Sequence, residues 1–251
     1  MKVVVVGSGP WSAKVERMIG HVTKLKVTNF SAREMFRESV DGDIFWLATT
    51  PINQLRILVN VPNNAKVIVE KPAFLNTLEL EMVYREYMER EGRLYFSLPW
   101  NYSTSMELLL ENLDLKTKTS VRVKRGGPLQ RSYIPSYMDW LPHDLGMISR
   151  LPESTNLEFD SVVLEGESMR ILAHLSNVEF NLHVGLMENR VAEWEILTQS
   201  QDSYSLDLNN QVKNSGEEPL GKMFLDYLSN LSQSEGLFQV WRKFFRTASL
   251  G

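Results

Sequence analysis

The stretch Val67-Ile68-Val69-Glu70-Lys71-Pro72 constrains this chain more than any other. Three β-branched residues in a row read as a strand buried on both faces, the habit of a parallel sheet. The run then changes within one residue to a carboxylate, an amine and a proline. Ligands of open α/β sheets lie outside the carboxyl ends of the strands, so Lys71 leaves this strand where a ligand would sit. Pro72 fixes its own φ, favours extended geometry at Lys71 and is a candidate for a cis peptide bond. A surface Glu-Lys pair at a strand end is the alternative reading.

A parallel sheet needs more strands joined by crossovers, and the first hundred residues supply them. Strands are predicted over residues 1–6, 25–30, 43–49 and 94–98, with helices from about Trp11, over 32–38, over 54–59 and from Asn76-Thr77-Leu78-Glu79 to about Arg90. The first strand runs directly into Gly7-Ser8-Gly9-Pro10-Trp11-Ser12, a dinucleotide fingerprint with Ser12 in place of the third glycine. Gly7 permits the tight turn and Gly9 lets the backbone approach a pyrophosphate. The helix that follows offers its unpaired N–H groups and positive end to that anion. A plain strand-to-helix turn is the alternative.

An NAD site usually carries an acidic residue at the end of the second strand for the ribose hydroxyls. Here the sequence reads Asn29-Phe30-Ser31-Ala32-Arg33. Ser31 and Arg33 could hold a 2′-phosphate, which favours NADP weakly over NAD. Alternatively, Ser31 caps the next helix and Arg33 is solvated.

The 251 residues suffice for two modest domains, and 43% hydrophobic with 23% charged content is that of an ordinary globular protein. A net charge of −4, with no Lys/Arg run longer than a pair such as Lys124-Arg125, argues against nucleic acid as a partner. The absence of cysteine excludes disulfides, thiolate nucleophiles and thiolate metal sites. No apolar run is long enough to span a membrane, and Val3–Val6 is too short for a signal peptide, so a cytoplasmic protein is expected.

After Ser103 the pattern changes. Residues 106–113 look helical and 119–124 look like a strand, which Gly126-Gly127-Pro128 is expected to break. Between residues 159 and 208 the period is two, with Val178, Phe180, Leu182, Val184 and Leu186 alternating with Glu179, Asn181, His183 and Gly185. The tail predicts one helix with apolar positions from Leu220 to Leu231 and another carrying Leu237, Val240, Trp241, Phe244 and Phe245. The expected architecture is α/β: an N-terminal Rossmann doubly wound parallel sheet over 1–102, then an α+β domain over 103–251 with a mostly antiparallel open sheet and C-terminal helices.

Asp139 and His143 stand four residues apart, so on a helix they share a face. Histidine titrates near neutrality, which suits taking a proton from a hydroxyl and returning it to a carbonyl. Because proline is tolerated only in a first turn, Pro142 predicts a helix starting near Leu141, with Asp139 at or before its cap. The alternative makes Asp139 an N-cap and His143 a partly exposed helix residue. His21, His174 and His183 lack ligand spacing, and no metal site is expected.

Together, Gly7-Ser8-Gly9, Ala48-Thr49-Thr50-Pro51, Glu70-Lys71-Pro72, Asp139-Trp140-Leu141-Pro142-His143 and the helix at Pro219 resemble the Gfo/Idh/MocA family of nicotinamide-dependent oxidoreductases. The resemblance spans most of the chain. It implies a Rossmann domain, a second domain with a large open sheet, and hydride transfer between NADP(H) or NAD(H) and a small sugar, polyol or related carbonyl compound. Carried over, Lys71, His143 and Asp139 are the catalytic candidates. The cofactor-binding candidates are Gly7, Gly9, Pro10, Trp11, Ser31, Arg33, Thr49, Thr50, Pro51, Asn53, Glu70 and Lys71. Family members commonly associate through the second sheet, so a homodimer or homotetramer is expected. The chain departs from the pattern at Ser12, at Gly146, where many members have a second Asp, and in being shorter than usual. A non-catalytic nucleotide-binding sensor is the alternative function.

Overall fold

A computed structural model describes residues 1–37, 40–128, 131–199, 203–208, 219–229 and 234–248. Glu38 and Leu231, which spacing assigns to helices, lie outside the described residues. The chain divides into two units, Met1–Pro99 with Leu220–Glu235, and Trp100–Pro219 with Gly236–Gly251.

The first unit is built on five parallel strands, β1 (Lys2–Val6), β2 (Lys26–Phe30), β3 (Ile44–Leu47), β4 (Lys66–Val69) and β5 (Leu94–Phe96), in the order β2-β1-β3-β4-β5. Val3 to Val6, Ile44 to Leu47 and Val67 to Val69 are all buried, as apolar strands flanked by helices on both faces should be. Helices α1 (Pro10–Val22), α2 (Ala32–Met35), α3 (Pro51–Leu58) and α4 (Thr77–Glu89) make the crossovers. Helix α3 starts at Pro51, three residues before the expected start. Thr50 is its extended N-cap, and a proline at the first helical position gives up an N–H that has no intrahelical partner there. At the far end of α3, the buried Arg90 guanidinium donates to the carbonyls of Leu58 (2.8 Å), Val61 (2.9 Å) and Pro62 (2.8 Å), satisfying that helix terminus.

The helix Pro219–Leu228, α7 in chain order, returns to this unit. Phe224 packs on Trp46, Tyr227 stacks on Tyr95, and the Tyr227 hydroxyl donates to the Phe96 carbonyl. Lys66 Nζ donates to the Tyr227 and Leu228 carbonyls at 3.1 and 2.8 Å, placing a cation at the negative end of α7.

The second unit carries helices α5 (Thr104–Asn112), α6 (Ser136–Ile148) and α8 (Ser234–Ala248). Its sheet holds β6 (Thr119–Gly127), β7 (Glu158–Glu165), β8 (Ser168–Leu175), β9 (Val178–Leu186), β10 (Val191–Thr198) and β11 (Ser203–Asp207), in the order β11-β10-β6-β9-β8-β7. All pairs are antiparallel except β6 with β9, which is parallel in the register Val121↔Phe180 and Val123↔Leu182. The inner face buries Val121, Val123, Ile171, Phe180, Leu182, Trp194 and Ile196 beneath α6, while Arg122, Lys124, Glu179, Asn181 and Glu193 point outward. In α8, Trp241, Phe244 and Phe245 pack on one another, and Phe244 meets Phe159 edge-on at 5.7 Å.

Two expectations need correction here. Strand β6 continues through Gly126 and Gly127, because β9 and β10 pair with it on both sides. Helix α6 begins at Ser136, so Pro142 sits inside it and Asp139 lies in its first turn rather than at the cap. Pro142 removes just the N–H that would reach the Met138 carbonyl. The helix start is secured elsewhere: Glu167 accepts the Ser136 N–H at 2.9 Å. Among the described residues, no helix is long and apolar enough to cross a membrane, and no group of three or more His, Asp or Glu is placed to hold a metal ion.

Candidate functional site

In the order β2-β1-β3-β4-β5, the chain reverses direction between β1 and β3, and the crevice beyond those two strand ends is the topological switch point. Gly7 leaves β1 there, and Ala48-Thr49-Thr50 leaves β3 beside it. A Cβ on Gly7 would lie 2.2 Å from the Ala48 carbonyl oxygen, so the fold itself demands glycine. A Cβ on Gly9 would meet nothing within 4 Å, which leaves its backbone open to a ligand. Gly9 is also the N-cap of α1, without a side chain to occupy the first N–H groups. Ser12 is buried, and its hydroxyl donates to the Gly9 carbonyl at 2.7 Å. The substitution of the third glycine therefore ties the turn to the helix instead of opening it. Pro10 occupies the first position of α1, and Trp11 after it is 38% exposed.

The carboxyl end of β4 is held more elaborately. Glu70 is buried, and the Lys71–Pro72 peptide bond is cis. Burial pushes the Glu70 carboxyl up from its ordinary range, while nearby donors, the Trp46 indole among them, and then the Lys71 charge pull it down. The Trp46 bond measures 2.8 Å from indole Nε1. Glu70 thus ties the end of β4 to β3 through Trp46, and Lys71 after it is half-buried. The main chain of Glu70 is held by Gln54, which accepts its N–H at 2.8 Å and donates to its carbonyl at 3.0 Å. Asn53, one residue earlier on α3, is half-buried.

At the end of β2, Ser31 caps α2: its hydroxyl accepts the Glu34 N–H at 3.3 Å, and Glu34 accepts the Ser31 N–H at 2.6 Å. These bonds hold the Glu34 carboxyl below its usual range. An acidic group thus folds back to the strand end from Glu34, one residue beyond the stretch where an acidic residue is sought, and Arg33 beside it is exposed. The Ser-x-x-Glu spacing is the signal that finds it.

In the second unit, Asp139 and His143 are both buried on α6. Asp139 pairs with Arg131 at 3.2 Å, and the Trp100 ring meets the His143 imidazole edge-on at 6.3 Å between centroids. The next residue, Asp144, is fully buried with Arg125 and Trp194 as partners. Burial pushes its carboxyl up, and the Arg125 charge with the two hydrogen bonds draws it back. The Arg125 guanidinium lies 5.5 Å from the Trp100 ring centroid. Gly146 lies buried in the same helix. Gln54, Arg131, Arg125 and Asp144 are the site-shaping residues that motif spacing alone does not single out.

No family model matches the sequence, and no curated protein matches it. Solved structures do match. A UDP-N-acetylglucosamine 3-dehydrogenase from Acidithiobacillus ferrooxidans superposes with a TM-score of 0.76 at 15% identity, over 100% of this chain and 97% of that one. A scyllo-inositol dehydrogenase from Lactobacillus casei, solved with NAD(H) and scyllo-inositol, gives 0.70 at 12% identity over 99% and 96%. A 3-ketoreductase from Actinomadura kijaniata, solved with TDP-benzene and NADP, gives 0.66 at 13% over 96% and 94%. At such identities the likeness is one of fold, and the fold is the one the Gfo/Idh/MocA resemblance implies.

Proposed function

We propose that this chain is a nicotinamide-dependent oxidoreductase of the Gfo/Idh/MocA type, acting between NADP(H) or NAD(H) and a small sugar, polyol or related carbonyl compound. One observation carries the reading: the open turn at Gly9 and the strand end bearing Lys71 lie on the same carboxyl edge of the parallel sheet. The similar structures named above include a UDP-N-acetylglucosamine 3-dehydrogenase, a scyllo-inositol dehydrogenase and a 3-ketoreductase, which supports the same class.

In this reading the α1 N–H groups and the Gly7–Gly9 backbone hold the pyrophosphate. Thr49, Thr50, Pro51 and Asn53 flank it, and Ser31 and Arg33 meet the adenosine ribose. A bound nicotinamide supplies the hydride acceptor or donor. Lys71 stabilises negative charge developing on the reacting oxygen. His143 takes the hydroxyl proton during oxidation and returns it during reduction, with Asp139 beside it on α6. A homodimer or homotetramer forms through the outer face of the second sheet.

Screening a panel of sugars and polyols with both cofactors tests the proposal. On the substrate found, Lys71→Met should lower kcat by about a hundredfold to a thousandfold. His143→Ala should lower it by about a hundredfold to ten-thousandfold. Cofactor affinity should stay within a few-fold in both. Near-normal turnover in both variants would refute these roles, and an effect of Lys71→Met on ligand affinity without any turnover would favour a sensor.

A further inference from the structure

We infer that Gln54 is a positioning residue that sets the direction in which Lys71 leaves the sheet; its catalytic consequence rests on the function proposed above. Strands β3 and β4 pair as far as Leu47↔Val69 and then part. The parting leaves three main-chain groups beyond the ladder, the Thr49 carbonyl and the N–H and carbonyl of Glu70. Gln54, from the first turn of α3 and 1% exposed, meets all three. Nε2 donates to the Thr49 carbonyl at 3.2 Å and to the Glu70 carbonyl at 3.0 Å, and Oε1 accepts the Glu70 N–H at 2.8 Å.

The arrangement is particular to glutamine. Its carboxamide presents two donors and an acceptor on one side chain, which this trio requires. Ionised glutamate accepts but cannot donate, so it would face two carbonyl oxygens. Asparagine is one methylene short, and methionine matches the length without the polar atoms. Buried neighbours on α3 such as Leu55 and Leu58 are apolar, so hydrophobic packing does not call for an amide at this position.

The connection to Lys71 is covalent geometry. The Glu70 carbonyl and the Lys71 N–H belong to one planar peptide unit. Holding that carbonyl fixes the plane from which Lys71 starts, while Trp46 holds the Glu70 side chain of the same residue. Displacement of a reacting group by about an ångström costs on the order of a hundredfold in rate. Gln54 therefore acts through Lys71 without touching a ligand.

The test compares wild type, Gln54→Met and Gln54→Glu in the full chain, with lysines labelled by 13C reductive methylation and the Lys71 resonance assigned from Lys71→Arg. We expect both variants to move the Lys71 resonance and its titration midpoint. On a turned-over substrate, kcat should fall by about a hundredfold, with NADPH affinity within a few-fold. Lowering the pH should return part of the Gln54→Glu activity relative to wild type, because a protonated carboxyl regains one donor, whereas Gln54→Met should show no such return. An unmoved Lys71 resonance in folded Gln54→Met and Gln54→Glu would overturn the inference, leaving Gln54 a purely structural residue. If wild type binds neither cofactor, the proposed function fails, yet the cofactor-free Lys71 resonance still decides the role of Gln54.

Discussion

Arg125 Nε donates to both carboxylate oxygens of Asp144, at 2.7 and 2.8 Å, with both side chains essentially out of contact with solvent. Trp194 adds a third bond to the same carboxylate at 3.0 Å. The pair stands directly behind His143, because Asp144 is the next residue and Arg125 lies against the Trp100 ring that meets the imidazole. Removing one partner strands a buried charge, so Asp144→Ala should cost about 3–5 kcal/mol, while Arg125→Met with Asp144→Leu should recover most of that loss. Urea unfolding of the single and double variants measures it. A mild effect of Asp144→Ala would mean that the guanidinium finds water.

Gly7 and Gly9 should fail in opposite ways. Gly7→Ala drives a methyl into the Ala48 carbonyl and should lower the melting temperature markedly. Gly9→Val fits the fold, since Gly9 already has extended backbone and open space, and should instead abolish cofactor binding. Thermal melts with and without NADPH separate the two effects.

Cofactor choice should turn on two adjacent side chains. In the proposed site Arg33 should attract a 2′-phosphate, and Glu34, folded back over Ser31, should repel it. NADPH is therefore expected to bind only modestly tighter than NADH. Arg33→Ala should erase that margin and Glu34→Gln should widen it. Fluorescence titration of all three proteins decides the point, and an NADH preference unchanged by Arg33→Ala would remove Arg33 from the site.

Glu70 should leave a mark on pH stability. Its folded pKa is raised by burial above the ordinary 4.5. As pH rises past that value, the unfolded chain releases the proton while the folded chain still holds it. The unfolded state then binds fewer protons, and stability falls across the window between the two pKa values. Glu70→Gln cannot ionise, so its urea midpoint should decline less than that of wild type from pH 4.5 towards neutrality. Parallel declines would mean that the Trp46 indole holds Glu70 ionised.

The outer face of the second sheet carries Leu172 and Leu197 among charged and polar residues, both partly accessible in one chain. Association through this face predicts a dimer or tetramer by light scattering. Leu172→Arg with Leu197→Glu should dissociate it. A wild-type monomer at micromolar concentration would refute the association outright.

Much of this architecture is legible in the chain. Valine runs buried on both faces announce the parallel strands, and the two-residue alternation from Val178 announces the open sheet. Two kinds of feature escape a linear reading. Pairings across distance are one: Arg125 is in phase with Val121 and Val123, which places it on the buried face, but nothing local names Asp144 as its counter-ion. Side chains that serve backbone are the other. Gln54 reads as a helix residue because its three partners are main-chain groups, which carry no sequence signature. Pro142 misleads for a related reason, since the helix start is stabilised by Glu167, remote in sequence.

The return of α7 has a consequence for biosynthesis. Trp46 and Tyr95 emerge early from the ribosome, but Phe224 and Tyr227, which cover them, follow more than a hundred residues later. Translation at roughly 5–20 residues per second leaves this apolar flank uncovered for many seconds. During that interval the nascent chain carries a greasy surface of the kind that holdase chaperones bind, and it loses that surface once the last stretch of the unit is delivered.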